Sequence, residues 1–307
     1  MNRKLFCINP EVQNAIDNIK PIVALESTVI THGLPYPLNF ETAQSMENAV
    51  SDRGAIPATI ALIKGKIMVG LKNEEMDALA RPHDSIKISP KDLAGAYLRK
   101  DDGGTTVAAT LLLAYQAGIH VFATGGIGGI HRGHPTDISA DLPMLSRIPM
   151  VVVSSGAKAI LDLPATREYL ETHGIPVIGY KNNEMAAFYS GKSGLKVDFR
   201  AEKASEIAQF AKYHWELGNS SAVLVTISPP KNLELDFLET EKAIISAINE
   251  CEKNGIKGSA VTPYLLAKMA EITNGESVRT NTALLINNAS IAAEISNELT
   301  AIGKRNL

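Results

Sequence analysis

The sequence predicts an α/β protein, a three-layer α/β/α sandwich around a largely parallel mixed sheet. Two observations predict this class: short runs of β-branched residues alternate with longer amphipathic stretches, and those runs are almost continuously apolar. Continuous apolar runs indicate strands that are buried on both faces, as in parallel sheets covered by helices. Because no repeat or long Gly/Ser linker interrupts the 307 residues, we expect a single domain spanning residues 1–307.

The predicted strands are the short apolar runs, which are too brief to show a helical period. In chain order they lie at residues 22–25, 58–63, 67–69, 86–88, 121–123, 150–154, 177–180 and 223–227.

The predicted helices are the longer amphipathic stretches between these strands. In chain order they lie at residues 41–51, 105–117, 164–172, 203–217, 241–253, 263–273 and 281–300. Pro164 and Pro263 stand where a first helical turn accepts proline. Five glycines closely follow helical stretches as expected C′ residues, namely Gly118, Gly174, Gly218, Gly255 and Gly275. Residues 180–200 show neither pattern and predict a long irregular loop.

The composition excludes several classes of protein. Thirty Lys and Arg residues against 33 Asp and Glu residues give a net charge of −3, which excludes a strongly basic nucleic-acid-binding protein. Cys7 and Cys251 match neither a metal-ligand spacing nor a disulfide framework, which favours a reducing compartment. No secretory signal or apolar run of about 18 residues is visible. We therefore expect a cytoplasmic protein with neither a nucleic-acid nor a membrane partner.

Lys158 and Glu26 follow predicted strands, and ligands of α/β sheets bind at the carboxyl ends of strands. Partial desolvation of Lys158 would favour the neutral amine, which can form a Schiff base with a carbonyl group. Burial of Glu26 would favour the protonated form that a general acid needs. The alternatives are a surface lysine at a helix start and a buried carboxylate that pairs with Lys or Arg.

A glycine-rich stretch, Thr124-Gly125-Gly126-Ile127-Gly128-Gly129, follows the strand at 121–123. Its amides could bind phosphate, although it is neither a dinucleotide fingerprint nor a P-loop. The alternative is a tight turn between strand and helix. His131 and Arg132 come next, where Arg132 could pair with phosphate and His131 could contact a sugar hydroxyl or shuttle a proton; a solvated loop pair is the alternative.

Asp137 and Asp141 are four residues apart and would share a face if both lay on one helix. Carboxylate ligands without cysteine suit magnesium or manganese. The alternative for Asp137 is the N-cap of a helix that starts near Ile138.

Further anion contacts are predicted at a helix start and among lysines. Gly103-Gly104-Thr105-Thr106 opens the helix at 105–117, where free amides and hydroxyls can bind an anion, although a plain N-cap explains Thr105 equally well. Lys64, Lys66 and Lys87 lie in or beside apolar runs, and one of them could bind phosphate.

Taken together, these motifs resemble the pseudouridine-5′-phosphate glycosidases, also called pseudouridylate synthases or indigoidine-synthase-A-like proteins. The resemblance covers nearly the whole chain, from about residue 8 to residue 295. The matching segments are residues 24–28, 31–37, 56–61, 104–107, 122–129, 137–142 and 156–158.

The resemblance implies reversible cleavage of the C–C glycosidic bond of pseudouridine 5′-phosphate to uracil and ribose 5-phosphate, by an enzyme of the lyase class that acts in pseudouridine breakdown. It also implies one divalent metal per subunit, usually Mn²⁺ with other divalent ions accepted, and a homotrimer. Lys158 is then the Schiff-base nucleophile, Glu26 the proton donor and Asp137 the metal ligand, and Asp141 is a further candidate acid or base. The substrate-binding positions implied are Lys87, Thr106, Val107, Thr124, His131, Ser139, Ala140, Asp141 and Asn281.

A carbon leaving group explains why such an enzyme needs a lysine. The two-carboxylate route of ordinary glycosidases is poorly suited to carbon 5 of uracil. If Glu26 protonates the ring oxygen, the ribose can open, Lys158 can capture C1′ as an imine, and the C–C bond can break in a retro-aldol-like sense. Hydrolysis of the imine then frees ribose 5-phosphate.

One departure from the family pattern affects the predicted metal loop, because the interval from Gly133 to Asp137 is about two residues shorter than usual. Two alternative functions remain at this stage. One is a Schiff-base aldolase or lyase that acts on another sugar phosphate, and the other is a non-catalytic protein that binds a phosphate ligand through Lys158.

Overall fold

The computed structural model describes residues 5–82, 84–256 and 261–305. The strands are β1 (Phe6–Ile8), β2 (Ile22–Leu25), β3 (Ile56–Ile63), β4 (Lys66–Val69), β5 (Ile86–Ile88), β6 (Gly103–Thr105), β7 (Val121–Ala123), β8 (Ile130–His131), β9 (His134–Ile138), β10 (Val151–Ser154), β11 (Leu161–Asp162), β12 (Val177–Tyr180), β13 (Phe199–Ala201) and β14 (Val223–Thr226). The helices are α1 (Pro10–Asp17), α2 (Leu38–Ser51), α3 (Asn73–Ala80), α4 (Leu93–Arg99), α5 (Val107–Ala117), α6 (Asp141–Leu145), α7 (Leu163–Thr172), α8 (Ala204–Glu216), α9 (Phe237–Lys253), α10 (Val261–Ile272) and α11 (Glu276–Arg305). A π-helical turn, Val29–Gly33, precedes α2, and a 3₁₀ turn, Pro90–Asp92, precedes α4.

The central sheet is mixed but largely parallel. Within the described residues its main path runs β1-β4-β3-β2-β7-β10-β14-β12-β13, while β6 pairs with β3 and β5 pairs with β6. Every neighbouring pair from β3–β2 to β12–β13 is parallel, whereas β3 pairs antiparallel with β4 and β6. Strands β8, β9 and β11 form a separate small antiparallel sheet.

Helices flank the central sheet. Helix α11 packs against both α2 and α8 and lies against β2, β7 and β10. Helix α5 packs on β2, β3 and β4 and contacts α6. Strands β2, β10 and β14 are buried along their whole length because helices cover the sheet. The predicted sandwich of helices around a largely parallel sheet is therefore confirmed.

The longer predicted elements are confirmed, and the missed ones are short. All eight predicted strands and all seven predicted helices are present, and each missed strand or helix has eight residues or fewer. The five predicted C′ glycines all have positive φ, between 63° and 95°. The predicted irregular loop is also confirmed, since no named strand or helix lies between Tyr180 and Phe199.

Two local predictions are wrong because a strand replaces a helix. Helix α5 starts at Val107 and not at residue 105, because residues 103–105 form β6. Asp137 lies in strand β9, and α6 starts only at Asp141. Asp137 therefore caps no helix, and the two aspartates do not share a helix face.

Across the described ranges, no helix combines the length and the apolar character that crossing a membrane requires.

Glu47 on α2 offers a stability test away from the strand ends. Its carboxylate accepts a hydrogen bond from the Thr59 hydroxyl on β3, and burial raises the pKa of Glu47, with this bond offsetting part of the effect. A carboxyl whose pKa is higher in the folded state binds more protons folded than unfolded, so it lowers stability as pH rises above the unfolded value. Glu47→Gln keeps the acceptor oxygen and removes the charge.

We expect Glu47→Gln to raise the free energy of unfolding at pH 8 and to leave it nearly unchanged at pH 4. Urea unfolding of wild type and variant at both pH values measures the difference, with the exposed Glu168→Gln as the matched control. An equal effect at both pH values, or a loss of stability at pH 8, would contradict this explanation.

Candidate active site

Two cavities lie side by side at the carboxyl edge of the sheet, where β2, β5, β7 and β10 end. The larger has a volume of about 740 Å³ and the smaller about 200 Å³. Six residues line both cavities and so form their common wall: Glu26, Thr28, Lys87, Ser89, Thr106 and Lys158. The predicted nucleophile and the predicted proton donor therefore stand where a ligand in either cavity can reach them.

The remaining predicted substrate-binding residues divide between the cavities. Thr124 and Asn281 line the larger one, beside the apolar side chains of Phe188, Leu266 and Leu285. The residues that line the smaller one are Val107, His131, Ser139, Ala140 and Asp141. The structure thus brings together every predicted catalytic and substrate-binding residue, from segments far apart in the chain.

Glu26 occupies a buried position directly after β2, with 7% of its surface exposed. Its carboxylate accepts a hydrogen bond from the Thr124 hydroxyl at the end of β7. Burial raises the pKa of Glu26, while the positive charge of Lys158 and the Thr124 bond offset part of the rise. The environment therefore favours a protonated carboxyl group above the usual pH range of glutamate, as expected for an acid catalyst.

Lys158 lies in a tight loop between β10 and β11 that is joined to the glycine-rich stretch. Its N–H donates to the carbonyl oxygen of Ile127 at 3.0 Å, and the Ile127 N–H donates to Gly156 at 3.0 Å. Gly156 has a φ of +84°, and a Cβ there would lie 1.9 Å from the carbonyl oxygen of Ala186. The loop is therefore closely held, and Lys158 is half-buried, not a surface lysine at a helix start, since α7 begins at Leu163.

Lys87 on β5 completes a group of charges around the common wall. Desolvation lowers the pKa of Lys87, and the neighbouring Lys158 lowers it further, while Glu26 and Asp141 act in the opposite direction. Two lysines and two carboxyl groups thus interact at one point. This cluster can stabilise a small anionic ligand without a basic protein surface, consistent with the net charge of −3.

Three of the six amides of the glycine-rich stretch donate to the protein itself. The N–H groups of Thr124 and Ile127 donate to the backbone at 3.0 Å, and the Gly128 N–H donates to Asp141 Oδ2 at 2.7 Å. These bonds hold the stretch in place, and a phosphate contact of its other amides stays a prediction.

Asp141 links two walls of the smaller cavity. Besides its bond to Gly128, its Oδ1 accepts the N–H of Ala108 at 2.9 Å, in the first turn of α5. The buried carboxylate thereby fixes the glycine-rich stretch to the start of α5. Its role as an acid or base stays a prediction.

Arg132 does not make the predicted phosphate contact. Its guanidinium forms a bidentate ion pair with Glu241 on α9, with both N–O distances at 2.8 Å. It also donates to the carbonyl oxygens of Leu161 and Ala159, each at 3.0 Å. The prediction is therefore wrong, and Arg132 instead ties the loop that carries Lys158 to α9.

Asp137, the predicted metal ligand, lies on the exposed strand β9 and lines neither cavity. In the part of the chain that the structure describes, no group of three or more His, Cys, Asp or Glu side chains is placed to hold an ion. This donor set does not fit a closed protein cage. A single exposed carboxylate could hold only a hard cation that keeps most of its water, so the role of Asp137 as a metal ligand stays a prediction.

Among the described residues, five polar or charged side chains of the cavities have no role assigned from the sequence. Thr28 and Ser89 line both cavities, and His32, Lys91 and Asp92 line the larger one. The strand-end rule pointed to Thr28 together with Glu26, without giving it a role, and it could also have selected Ser89, which directly follows a predicted strand.

Comparisons with known proteins found relatives that match nearly the whole chain. The model of the indigoidine synthase A-like protein family matches residues 11–298. The pseudouridine-5′-phosphate glycosidase of Solibacter usitatus (strain Ellin6076) is 51% identical over 294 residues, which is 95% of this chain and 98% of the relative.

Two solved structures share the fold and much of the sequence. The prealnumycin C-glycosynthase AlnA, in complex with ribulose 5-phosphate, has a TM-score of 0.91 and 38% identity, covering 98% of this chain and 99% of the other. An indigoidine synthase A-like protein from Thermotoga maritima MSB8 has a TM-score of 0.88 and 34% identity, covering 96% of this chain and 97% of the other.

Proposed function

The chain belongs to the family of indigoidine synthase A-like proteins, and we propose that it cleaves pseudouridine 5′-phosphate reversibly to uracil and ribose 5-phosphate. It is an enzyme of the pseudouridine-5′-phosphate glycosidase type, as its relatives at about half identity over nearly full length are named. We further propose that the reaction proceeds through a Schiff base and serves pseudouridine breakdown.

The observation that carries the proposal is the common wall of the two cavities. Lys158 and Glu26 stand on it, so one ligand that spans both cavities would place its central bond beside an amine and a protonated carboxyl group. A nucleotide has this form, since a flat base and a phosphorylated sugar are joined by one bond. The apolar lining around Phe188 suits the base, and the smaller polar cavity suits the sugar phosphate.

Glu26 and Lys158 would divide the chemistry between them. Glu26 donates a proton to the ribose ring oxygen, because burial raises its pKa and so favours the protonated form. Lys158 adds to C1′ of the opened sugar and loses a proton. C5 of uracil then takes a proton, for which Asp141 is the candidate acid, the lone pair of the Lys158 nitrogen forms the C1′=N imine, and the pair of the breaking C1′–C5 bond returns to the uracil ring. Water then releases ribose 5-phosphate from Lys158.

The surrounding residues would bind and orient the substrate. Lys87, held close to Lys158 and Glu26, supplies positive charge toward the phosphate or sugar oxygens. Ser139 and Thr106 offer hydroxyl groups, and Asn281 offers an amide for the polar edge of the base.

Pseudouridine 5′-phosphate cleavage is tested by mixing it with the purified protein and measuring released uracil and ribose 5-phosphate. We expect equimolar release, and resynthesis when both products are supplied. Turnover of other sugar phosphates without uracil release would favour a Schiff-base aldolase or lyase. The ribulose 5-phosphate bound to the relative AlnA is a reason to test this alternative. Binding without any turnover would favour a phosphate-ligand protein.

Asp137 would hold a divalent metal, which we expect to be Mn²⁺, and which would supply positive charge for anionic groups of the substrate. We expect a chelator to lower the rate of uracil release and Mn²⁺ to restore it. Asp137→Asn should raise the Mn²⁺ concentration needed for half-maximal rate at least about tenfold. Unchanged Mn²⁺ dependence in Asp137→Asn, measured beside Asp162→Asn as the control carboxylate, would contradict this role. The homotrimer and the cytoplasmic location stay predictions from the sequence.

A further inference from the structure

His32 belongs to the segment 31–37, which contributed to the resemblance but received no role. It lies in the π-helical turn Val29–Gly33, shortly after Glu26, and lines the larger cavity. Such π-turns are rare and occur frequently at functional sites. The turn is anchored at its start, because the N–H groups of Ile30 and Thr31 both donate to the Ser27 carbonyl oxygen, at 3.0 and 3.1 Å.

A neighbouring hydroxyl fixes the orientation of the imidazole ring. Nδ1 of His32 lies 2.6 Å from Oγ1 of Thr31. This is the ring's hydrogen bond within the described residues, so Nε2 is left for a ligand in the cavity. A ring that is held at one nitrogen and open at the other is the arrangement of a proton-transfer histidine.

Gly104 provides the space for this pair. A Cβ at Gly104 would lie 2.3 Å from Thr31 Oγ1 and 2.7 Å from the Ser27 carbonyl oxygen. Gly104 is also the register partner of Lys87 in the β5–β6 pair. Thr31 and Lys87 therefore both lie beside Gly104, and His32, which follows Thr31, lines the larger cavity together with Lys87.

The surroundings of the ring favour its neutral form. Burial lowers the pKa of His32, and the charge of Lys87 on β5 lowers it further. The 3₁₀ turn adds the oppositely charged pair Lys91 and Asp92, which is 3.1 Å apart and largely self-compensating. The charged groups that line the same cavity are Glu26, Lys87, Lys91, Asp92 and Lys158.

The chemistry at C1′ leaves a base unassigned. Expulsion of the ribose ring oxygen needs electrons from the uracil ring, and pseudouridine carries a free N–H at N1, conjugated through C6 to C5. We propose that His32 is the general base for this N1–H, an inference that rests on the proposed function.

In this step the N1 proton passes to Nε2 of His32, and the freed pair forms the N1–C6 double bond. The C5–C6 pair moves to form a C5–C1′ double bond, the C1′–O4′ bond breaks, and O4′ takes the proton of Glu26. When the amine of Lys158 adds to C1′, the C5–C1′ pair returns to the C5–C6 bond and the N1–C6 pair returns to N1. N1 then takes its proton back from Nε2 of His32. No oxidant, reductant or further reactant is needed.

The N1-methyl analogue of pseudouridine 5′-phosphate tests the step, because it has no N1 proton. We expect wild type to bind the analogue as a competitive inhibitor and to cleave it at least about 100-fold more slowly than the parent. Cleavage at a rate comparable to the parent would overturn the proposal.

His32→Gln tests the same step from the protein side, with exposed His173→Gln as the matched control. We expect His32→Gln to lower kcat for uracil release about 100-fold or more and to lose the fall in rate that wild type shows as His32 is protonated at low pH. It should still form a borohydride-trappable imine with ribose 5-phosphate, because that half-reaction involves no uracil.

The outcomes distinguish the role of His32 from the proposed function of the protein. Normal kcat in His32→Gln would overturn the role of His32, and loss of imine trapping together with turnover would show a structural role instead. Failure of wild type to release uracil would overturn the proposed function itself.

Discussion

Replacing Lys158 by alanine is expected to abolish uracil release while the protein stays folded and still binds pseudouridine 5′-phosphate. The change removes only the side chain. The loop should keep its shape because backbone hydrogen bonds hold it, such as that from the Lys158 N–H to the carbonyl oxygen of Ile127 at 3.0 Å. Loss of a covalent nucleophile lowers kcat by about four orders of magnitude or more. Uracil release under saturating substrate measures kcat, and ligand-induced thermal stabilisation measures binding.

Lys181→Ala is the matched control, because Lys181 is exposed, lies over the Tyr180 ring at 4.8 Å and lines neither cavity. It should turn over substrate like wild type. If Lys158→Ala retained more than a few per cent of wild-type kcat, Lys158 would not be the nucleophile.

Glu26→Gln is expected to lower kcat about 100- to 10,000-fold, the usual contribution of a general acid. The amide keeps the size of the side chain and can still accept the hydrogen bond from Thr124, so folding and binding should survive. What the variant lacks is the proton for the ribose ring oxygen.

The pH dependence of Glu26→Gln separates acid catalysis from a packing effect. In wild type, the rate should fall as pH rises through the raised pKa of Glu26, and the variant should lack this fall. The same raised pKa means that the folded state holds the proton more tightly than the unfolded state, so the carboxyl lowers stability as pH rises. Glu26→Gln should therefore be more stable than wild type at pH 8 and no more stable at pH 4.

Thr124→Val tests the same assignment through the residue that donates a hydrogen bond to Glu26. Thr124→Val removes the hydroxyl that offsets part of the rise in the pKa of Glu26, so the falling limb should move to higher pH. If the rate of Glu26→Gln still fell as pH rises, as in wild type, another residue would be the general acid.

Most strands of the central sheet and its longer helices could be predicted from the sequence because their pattern is local. Strands β2, β10 and β14 are buried at every position and read as continuous apolar runs. Strand β9 could not be predicted, because all five of its residues are exposed and only its pairing with β8 makes it a strand. The expected helix near Asp137 failed for this reason.

The site could be predicted to the extent that strand ends determine it. Glu26 and Lys158 follow the buried strands β2 and β10, which lie on either side of β7 and run parallel to it, so that their ends meet at one wall. Arg132 was misread because its partner, Glu241, lies 109 residues away, and no local pattern reveals that pair. The role of His32 depends on a π-turn and on the space at Gly104, both of which only the folded chain displays.

The Schiff-base mechanism is tested most directly by borohydride trapping with ribose 5-phosphate, followed by peptide mapping. We expect one covalent ribose-phosphate adduct per chain, located at Lys158, and no adduct in Lys158→Ala. An adduct at another lysine, or no adduct from protein that actively releases uracil, would contradict the Schiff-base mechanism.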